Sequence, residues 1–515
     1  MDKLPLASPP CGSVRGSTIS TSAGVAVNAY KGIPYAAAPI GPLRWRAPAP
    51  APTWSGVRDT MAFGPDLPQA PNARLRGPSQ NEDCLYLNVW APASAATGSL
   101  PVMVWIHGGG FVGGSGSDLR SDGAAMAAQG VVVVSFNYRS GLFGFLAHPA
   151  LSAESDHGVS GNYGLLDQIA ALAWVRDNIA AFGGNPRRVT AFGVSAGSAS
   201  ISLLLTSAQA SGLFHQAILH SPGACRPLAT LQQAEQAGLA LGQDIAALRQ
   251  LGASELFQKT GLLAPKVRGL TTPRVLRPIR DGWLLKQDER EVFKAGQLHP
   301  MPLIVGSNAD EGSLLTASWP IDTLDQYRDM VQTNFGTAAT EVFALYPAHD
   351  GQQARQRVGE IFADTQFNYG TRLLAQSMAR LEPKTWRYLF KRRRPHQTDG
   401  PHHGEEVAHV FGNVSAAAPG ETADHDAIDE AVSASLMSAW VSFARSGNPN
   451  GAVEVAHAGN AGAHLSSQSG QAPFSWPPYD AARDTYACFA DTQTVERQWR
   501  QAQLDFLDRF YDEAG

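Results

Sequence analysis

The segment that most constrains the fold is residues 189–197, which reads Val-Thr-Ala-Phe-Gly-Val-Ser-Ala-Gly. Its first residues are typical of a buried strand, and the small and Leu-rich residues 198–206 favour a helix. A strand that passes through Gly-x-Ser-x-Gly into a helix is the local structure of a nucleophile elbow. Gly193 and Gly197 lack a Cβ, so strand and helix can approach closely around Ser195. Plain loops also match this short pattern, so the rest of the chain must support it.

Buried strands alternate with amphipathic helices along much of the 515-residue chain. Continuous apolar runs are typical of strands buried on both faces, and apolar residues at helical spacing indicate amphipathic helices. We predict strands over residues 84–90, 101–106, 131–138, 189–194, 216–220, 302–307 and 385–390. We predict the clearest helices over residues 165–182 and 426–445. This alternation predicts an α/β fold with a central, mostly parallel sheet and helices on both faces.

The other segments are expected to surround this sheet. Residues 12–29 favour an antiparallel hairpin, and the Pro-rich residues 30–54 favour an ordered coil. Residues 451–471 are rich in Ala, Gly and Ser and predict an irregular loop. Two long, largely helical stretches, about residues 226–300 and 316–384, are interpreted as insertions that cap the catalytic face. We therefore predict a single domain over residues 1–515.

Charge and composition exclude several classes of function. The chain has 40 basic and 45 acidic side chains, a net charge of −5, and no long tract of one sign. Neither nucleic acid nor an anionic membrane is therefore expected as a partner. No apolar run reaches the roughly 18 residues that a membrane span requires. The oligomeric state is not predicted.

The first residues lack the apolar core of a signal peptide. We therefore expect a cytoplasmic protein, or a secreted or periplasmic one whose leader has been removed. The four cysteines are widely separated and lack the spacing of a metal site. They are interpreted as packed thiols, since a core of this size needs no disulfide framework.

A serine nucleophile requires a base, a carboxylate that orients the base, and donors for the oxyanion. In an α/β hydrolase these side chains follow in the order Ser, Asp or Glu, His. Asp310 and Glu311 come directly after the predicted strand 302–307, at the edge of the sheet where catalytic loops lie. Candidates for the base follow the strand 385–390: His396, His402, His403 and His409. Composition does not choose among them, because exposed carboxylates and surface histidines are common.

Oxyanion donors have a clearer signal. Gly108, Gly109 and Gly110 follow a buried strand directly and offer unobstructed backbone N–H groups. Ala196 adds an N–H at the start of the predicted elbow helix. A tight turn alone would explain one or two glycines but not three.

Ten motifs in order along the chain carry a family resemblance. They are residues 32–36, 82–89, 107–111, 162–168, 182–186, 192–197, 212–215, 310–313, 403–406 and 443–450. On these motifs the chain resembles the type-B carboxylesterases, which include cholinesterases, vertebrate liver carboxylesterases and bacterial p-nitrobenzyl esterases. The resemblance covers nearly the whole length. It implies an α/β-hydrolase fold and an enzyme that hydrolyses a small-molecule carboxylic ester without metal or organic cofactor.

The same resemblance implies a role for individual residues. The family's nucleophile falls on Ser195, its acid on Glu311 and its base on His403. Its oxyanion donors fall on three backbone groups, those of Gly109, Gly110 and Ala196. Chemistry alone leaves open the choice between Asp310 and Glu311 for the acid, and between His402 and His403 for the base. The resemblance selects Glu311 and His403.

Three features depart from the family. Val194 replaces the Glu that usually precedes the nucleophile. The usual partner of Cys84 is missing from residues 63–69, and no Trp occurs between Trp54 and Trp90. These differences favour a bacterial-type esterase that lacks both the disulfide and the aromatic floor of the choline site.

The leading hypothesis is an ester hydrolase that works through an acyl-enzyme. The alternatives are an inactive adhesion or binding module on the same fold, or an amidase or thioesterase with the same triad. Residues 391–394, Lys-Arg-Arg-Arg, precede His403 and would attract anionic esters if they faced the site; a solvated face is the simpler interpretation. The sequence does not identify the acyl or alcohol group.

Overall fold

A computed structural model describes residues 4–263, 270, 274–420, 422–451 and 474–513. The strands of these residues are β1 (Leu6–Ala7), β2 (Ser13–Arg15), β3 (Ser17–Ser20), β4 (Ala26–Pro34), β5 (Val57–Asp59), β6 (Tyr86–Pro92), β7 (Leu100–Ile106), β8 (Val132–Phe136), β9 (Gly184–Val194), β10 (Gln216–His220), β11 (Leu303–Asn308), β12 (Thr385–Phe390), β13 (Thr485–Phe489) and β14 (Gln493–Arg497). They form an eleven-stranded sheet in the order β14-β13-β12-β11-β10-β9-β7-β8-β6-β4-β3, and a three-stranded sheet in the order β1-β2-β5.

Helices connect and cover these strands. The α-helices of the described residues are Ala124–Ala127, Gly141–Phe145, Pro149–Ala153, Tyr163–Asn178, Ala196–Leu204, Leu231–Gly238, Ile245–Gln250, Ala253–Lys259, Glu289–Lys294, Ser313–Thr316, Leu324–Phe335, Ala339–Leu345, Gly351–Ala363, Tyr369–Ala379, Glu406–Phe411, Ala427–Ser446 and Gln501–Glu513. Short 3₁₀ turns occupy Gly41–Leu43, Leu119–Ser121, Ile179–Phe182, Ala208–Ala210, Leu239–Leu241, Thr260–Leu263 and Gly336–Ala338, and a π turn occupies Asp364–Asn368.

The centre of the large sheet is parallel and its two ends are antiparallel. Strands β8, β7, β9, β10, β11, β12 and β13 pair in parallel, one after another. Strands β3, β4 and β6 extend one end with antiparallel pairs, and β14 extends the other. The prediction of a mostly parallel α/β sheet is confirmed.

Side chains from the central strands enter two separate cores, one on each face of the sheet. On β7, Val104 belongs to one core and Trp105 to the other, and β9 divides Ala191 and Phe192 in the same way. Because successive strand residues point to opposite faces, both faces must be covered. Helix Tyr163–Asn178 covers the first, and Ala427–Ser446 covers the second through residues that include Trp440.

The N-terminal prediction needs correction. Residues 12–29 are not one hairpin: β2 joins the small sheet, and the hairpin is β3 with β4. Strand β4 also continues to Pro34, inside the stretch predicted as coil, because Ile33 and Pro34 resume pairing with β6 after a register shift. Pro34 is tolerated because it ends the strand, where one ladder donor can be lost. The loop prediction for residues 451–471 falls, beyond residue 451, outside the described residues.

Among the described residues, no helix combines the length and the apolar character needed to cross a bilayer.

All four cysteines have free thiols. Cys84 is buried, and burial raises the pKa of its thiol well above the usual value. We therefore expect mild reductant to leave the melting temperature unchanged within about 1 °C, because removing a disulfide would instead cost about 2–5 kcal/mol. Thermal unfolding with and without dithiothreitol measures this. A clear drop, together with Cys84 found in a disulfide by mass mapping, would contradict the prediction.

Candidate active site

Ser195 lies on a strained turn between β9 and the helix Ala196–Leu204. Its backbone has φ 56° and ψ −120°. Residues other than glycine rarely adopt this conformation, which costs roughly 1–3 kcal/mol. The Ser195 N–H donates to the His220 carbonyl of β10 at 2.9 Å, and Ser198 Oγ donates to the Gly193 carbonyl at 2.6 Å. These bonds hold the turn in place, so the hydroxyl of Ser195 lies at the carboxyl edge of the sheet.

The glycine at position 197 is required by close packing against β7. A Cβ on Gly197 would lie 1.9 Å from the Ile106 carbonyl oxygen, and one on Gly193 would lie 2.6 Å from the same atom. Such contacts are far inside van der Waals distance, so a side chain here would push the elbow away from the sheet. The Gly-x-Ser-x-Gly pattern therefore reflects the sheet–helix contact.

Glu311 and His403 form a direct pair. His403 Nδ1 lies 2.5 Å from Glu311 Oε2, and Glu311 is buried behind it. The other carboxylate oxygen accepts from Ser221 Oγ at 2.5 Å and from the Asn308 N–H at 2.6 Å. A carboxylate held by three partners orients the imidazole so that Nε2 points away from it.

Ser195 and His403 are not hydrogen-bonded to each other in this structure. His403 Nε2 is buried and makes no hydrogen bond to any described residue, while both side chains line the same cavity. The residues next to them in the chain also approach each other, because an ideal Cβ on Gly404 would lie 3.9 Å from Val194 Cγ2. Catalytic hydrogen bonds are often open before substrate binds.

The alternative acid and bases have other partners. Asp310 accepts from the Ser313 N–H at 2.9 Å and caps that helical turn. His402 lies beside Asp310 at 3.8 Å, and His409 bonds Asp429 at 3.1 Å. His396 is largely exposed. Among the described residues, none of these side chains is recorded as a hydrogen-bond or ion-pair partner of His403.

The loop after β7 presents backbone N–H groups next to Ser195. Gly109 has φ 128°, and a Cβ there would lie 2.1 Å from the Gly113 carbonyl oxygen, so only glycine fits. Among the described residues, the N–H groups of Gly109, Gly110 and Ala196 donate no recorded hydrogen bond. Three free donors beside a serine can stabilise a developing oxyanion.

His107 anchors this loop from below. Its ring stacks on Tyr138 with centroids 4.3 Å apart, and Nδ1 donates to the Gly108 carbonyl at 2.8 Å. Burial lowers its pKa to about 4, so it is neutral at pH 7. We interpret His107 as a packing residue.

A cavity of about 750 Å³ opens above Ser195. Its lining includes the aromatic side chains of Trp319, Phe362 and Phe367. It also includes several arginines, among them Arg226 and Arg277. The cavity therefore suits a substrate with both apolar and polar parts.

Val194 lines the cavity next to Ser195, where the family usually has an acid. A different acid, Glu406, lies buried near His403 and accepts from Asn308 Nδ2 at 2.6 Å. Burial raises its pKa, but the His220 imidazole, with Nδ1 3.3 Å from Glu406 Oε1, and the hydrogen bond from Asn308 lower it by more, so the pKa lies below the usual value. Glu406 thus adds negative field on the side of the histidine.

The basic run at residues 391–394 does not line the cavity as the described residues form it. Lys391 pairs with Glu496 at 2.7 Å, and Arg392 pairs with Asp429 at 2.8 Å. The structure therefore gives no support to the hypothesis that this run attracts substrate. The expectation of a solvated face fails for Arg392, which is buried among its aspartate partners.

Several residues around the site were missed from the sequence. Ser221 follows the end of β10, just as Asp310 and Glu311 follow the end of β11. This position after a strand was the sequence signal that could have identified Ser221 as a site residue. Arg226 and Arg277 lie in a stretch treated only as a cap, and no local pattern marks them.

The chain is similar to known proteins over most of its length. The profile of the Carboxylesterase family matches residues 4–507. Fumonisin B1 esterase of Sphingopyxis macrogoltabida is 46% identical over 82% of this chain and 80% of its own. Para-nitrobenzyl esterase of Bacillus subtilis is 35% identical, with 85% and 89% covered. Acetylcholinesterase of Bungarus fasciatus is 32% identical, with 92% and 81% covered. A solved structure of PNB esterase superposes with a TM-score of 0.80 at 30% identity, covering 98% of this chain and 99% of the other.

Proposed function

We propose that this chain, which belongs to the carboxylesterase family and hydrolyses carboxylic esters, does so with Ser195 as nucleophile, His403 as base and Glu311 as orienting acid. We further propose that the N–H groups of Gly109, Gly110 and Ala196 form the oxyanion hole. The observation that supports this most is the 2.5 Å contact of Glu311 with His403 Nδ1, which leaves Nε2 facing the cavity of Ser195.

The proposed reaction has two stages. His403 Nε2 takes the proton of Ser195 Oγ as this oxygen attacks the ester carbonyl carbon, and the carbonyl oxygen becomes an oxyanion. The C–O bond to the alcohol then breaks, and the alcohol leaves with the proton from His403. Water, deprotonated by His403, attacks the acyl-enzyme, and the acid leaves as Ser195 regains its proton.

Each group has a physical role in these stages. The negative charge of Glu311 stabilises the imidazolium that forms at His403 in each stage. The backbone donors stabilise the oxyanion by about 3–4 kcal/mol for each donor. We also propose that residues 226–300 and 316–384 act as a cap, since both stretches contribute side chains to the cavity.

An ester panel with the Ser195→Ala variant as blank tests this function. The panel should include p-nitrophenyl esters of increasing acyl length. It should also include fumonisin B1, because the relative at 46% identity is named as an esterase of that compound. Hydrolysis by the wild type and not by the blank supports the assignment. Activity that survives in the blank would contradict it.

This enzyme is not expected to prefer choline esters, although acetylcholinesterase is among its relatives. A quaternary ammonium is bound by aromatic faces worth roughly 0.5–2 kcal/mol each. Here no Trp lies between Trp54 and Trp90, and Val194 replaces the usual acid. Arg226 and Arg277 also add positive charge to the cavity. A choline ester should therefore react no faster than the 3,3-dimethylbutyl ester of the same acid.

The measurement is kcat/KM for this pair at low salt. A preference for the cation of about tenfold or more, which corresponds to about 1.4 kcal/mol, would show that another cation site exists.

A further inference from the structure

Two arginines, Arg226 and Arg277, line the cavity, and Arg226 lies close to the proposed base. The Arg226 guanidinium stacks on the Phe367 ring, 4.7 Å from its centroid, and the His403 imidazole packs on the same ring at 4.5 Å. The turn before Arg226 is shaped around it, because a Cβ on Gly223 would lie 2.5 Å from Arg226 Nη2. The guanidinium is therefore held in a defined place beside the reaction centre.

Most N–H groups of these arginines have no protein acceptor among the described residues. Arg226 Nε and Nη2 donate to the Gln366 carbonyl at 3.1 and 2.9 Å, and no acceptor is recorded for Nη1. For Arg277 no hydrogen bond or ion pair to a described residue is found. Both arginines are half-buried, and guanidinium donors left open toward a cavity are fit for an anionic ligand.

The positive charges also repel one another. Burial, together with the charge of Arg274 in the same cavity lining, lowers the pKa of Arg226 to about 10. Burial, followed by the charges of Arg226 and Arg274, lowers the pKa of Arg277 well below its usual value. A protein that keeps like charges together in a cleft needs an anion to offset them, and such sites are often functional.

The nearby carboxylate does not fill this role. Glu289 lines the cavity, but its oxygens accept from Ser202 Oγ and from the Cys225 N–H, the latter at 2.5 Å. Burial raises the pKa of Glu289 to about 7, so much of it is uncharged at neutral pH. The remaining acid on the wall, Asp118, pairs with Arg120 at 2.9 Å.

We infer that Arg226 and Arg277 bind a free carboxylate of the substrate, so that the preferred esters are those that carry a second acid group. This inference rests on the proposed function. Guanidinium groups match carboxylates in shape and bind them with two parallel hydrogen bonds. The aromatic wall would contact the apolar part of the same molecule. The positive charge at the site thus comes from Arg226 and Arg277 in the cavity, and residues 391–394 do not contribute to it.

Two pairs of substrates test the inference from both sides of the scissile bond. The first pair is the p-nitrophenyl ester of glutaric acid and that of glutaric acid monoamide. The second pair is the butyrate ester of 4-hydroxyphenylacetic acid and that of its amide. Within each pair a carboxylate is exchanged for a neutral group of the same shape. We expect wild-type kcat/KM to favour the acid by about tenfold or more in at least one pair, after subtraction of the Ser195→Ala blank.

Variants then assign this preference to residues. Arg277→Gln and Arg226→Gln should each remove most of this preference, read within each variant as the ratio of kcat/KM on the acid to kcat/KM on the amide. Arg277→Lys, which keeps the charge, should retain part of it. Arg187→Gln, which removes an exposed arginine at the start of β9, is the matched control and should keep the full preference.

The outcomes separate the two proposals. Hydrolysis of the amides without preference for the acids overturns this inference alone, as does a preference that survives in folded Arg277→Gln. Failure to hydrolyse either pair overturns the proposed function and this inference with it. If the variants do not fold, glutarate should competitively inhibit wild-type hydrolysis of p-nitrophenyl butyrate, more weakly as salt rises, whereas glutaramide should not. Equal inhibition by the two compounds overturns the inference.

Discussion

Replacing Ser195 by alanine is expected to lower kcat by about five to six orders of magnitude on any ester that the wild type hydrolyses. The reason is that Ser195 Oγ forms the covalent bond on which both stages depend. His403→Ala should cause a loss of similar size, because without Nε2 no group takes the proton from Ser195. Since the two side chains act as a unit, the double variant should be no slower than either single variant.

Single-turnover kinetics and active-site labelling measure these losses. A phosphonylating reagent should label Ser195 and leave Ser160 and Ser221 unlabelled. The melting temperature of each variant serves as the folding control. Full labelling of Ser160 or Ser221, or losses that simply multiply in the double variant, would contradict the assignment.

The second large effect is expected at the orienting acid. Glu311→Gln should lower kcat by about 10⁴-fold, because a neutral amide can hold His403 in the wrong tautomer and cannot stabilise the imidazolium. The neighbouring Asp310→Asn is the matched control. Asp310 accepts hydrogen bonds from the turn at Ser313, which asparagine can also accept, so its kcat should stay within about twofold of the wild type.

The melting temperatures of the two variants serve as the folding control. A severe loss in Asp310→Asn with a mild one in Glu311→Gln would reverse the assignment of the acid.

Much of the architecture could be predicted because it depends on local patterns. A run of apolar residues such as 101–106 or 385–390 is buried on both faces wherever it lies, so the parallel sheet follows from the strand–helix alternation. The elbow could be predicted for the same reason. Its glycines are dictated by the contact of Gly197 with Ile106, which any strand–turn–helix of this kind makes.

Local patterns failed where pairing partners decided the structure. Strand β4 continues to Pro34 because β6 offers a partner there, and β2 leaves the hairpin because β1 and β5 offer another sheet. The strands β13 and β14 and the helix Gln501–Glu513 were not predicted. Strand β13 pairs with β12, which lies far away along the chain, so local sequence alone does not reveal that pairing. Strand β14 was missed although its partner is the neighbouring β13, with which it forms a hairpin.

For the candidate site, the sequence by itself determined the nucleophile turn, the glycine donors and the order Ser, acid, His. Its chemistry left Asp310 and Glu311 equal, since both follow the same strand, and only the family resemblance chose between them. In the folded chain Glu311 Oε2 contacts His403 Nδ1 while Asp310 caps a turn. Tertiary structure alone brought Arg226 and Arg277 into the cavity that His403 also lines. The physical reason is that substrate contacts come from side chains far apart in sequence, whose meeting depends on how the chain packs.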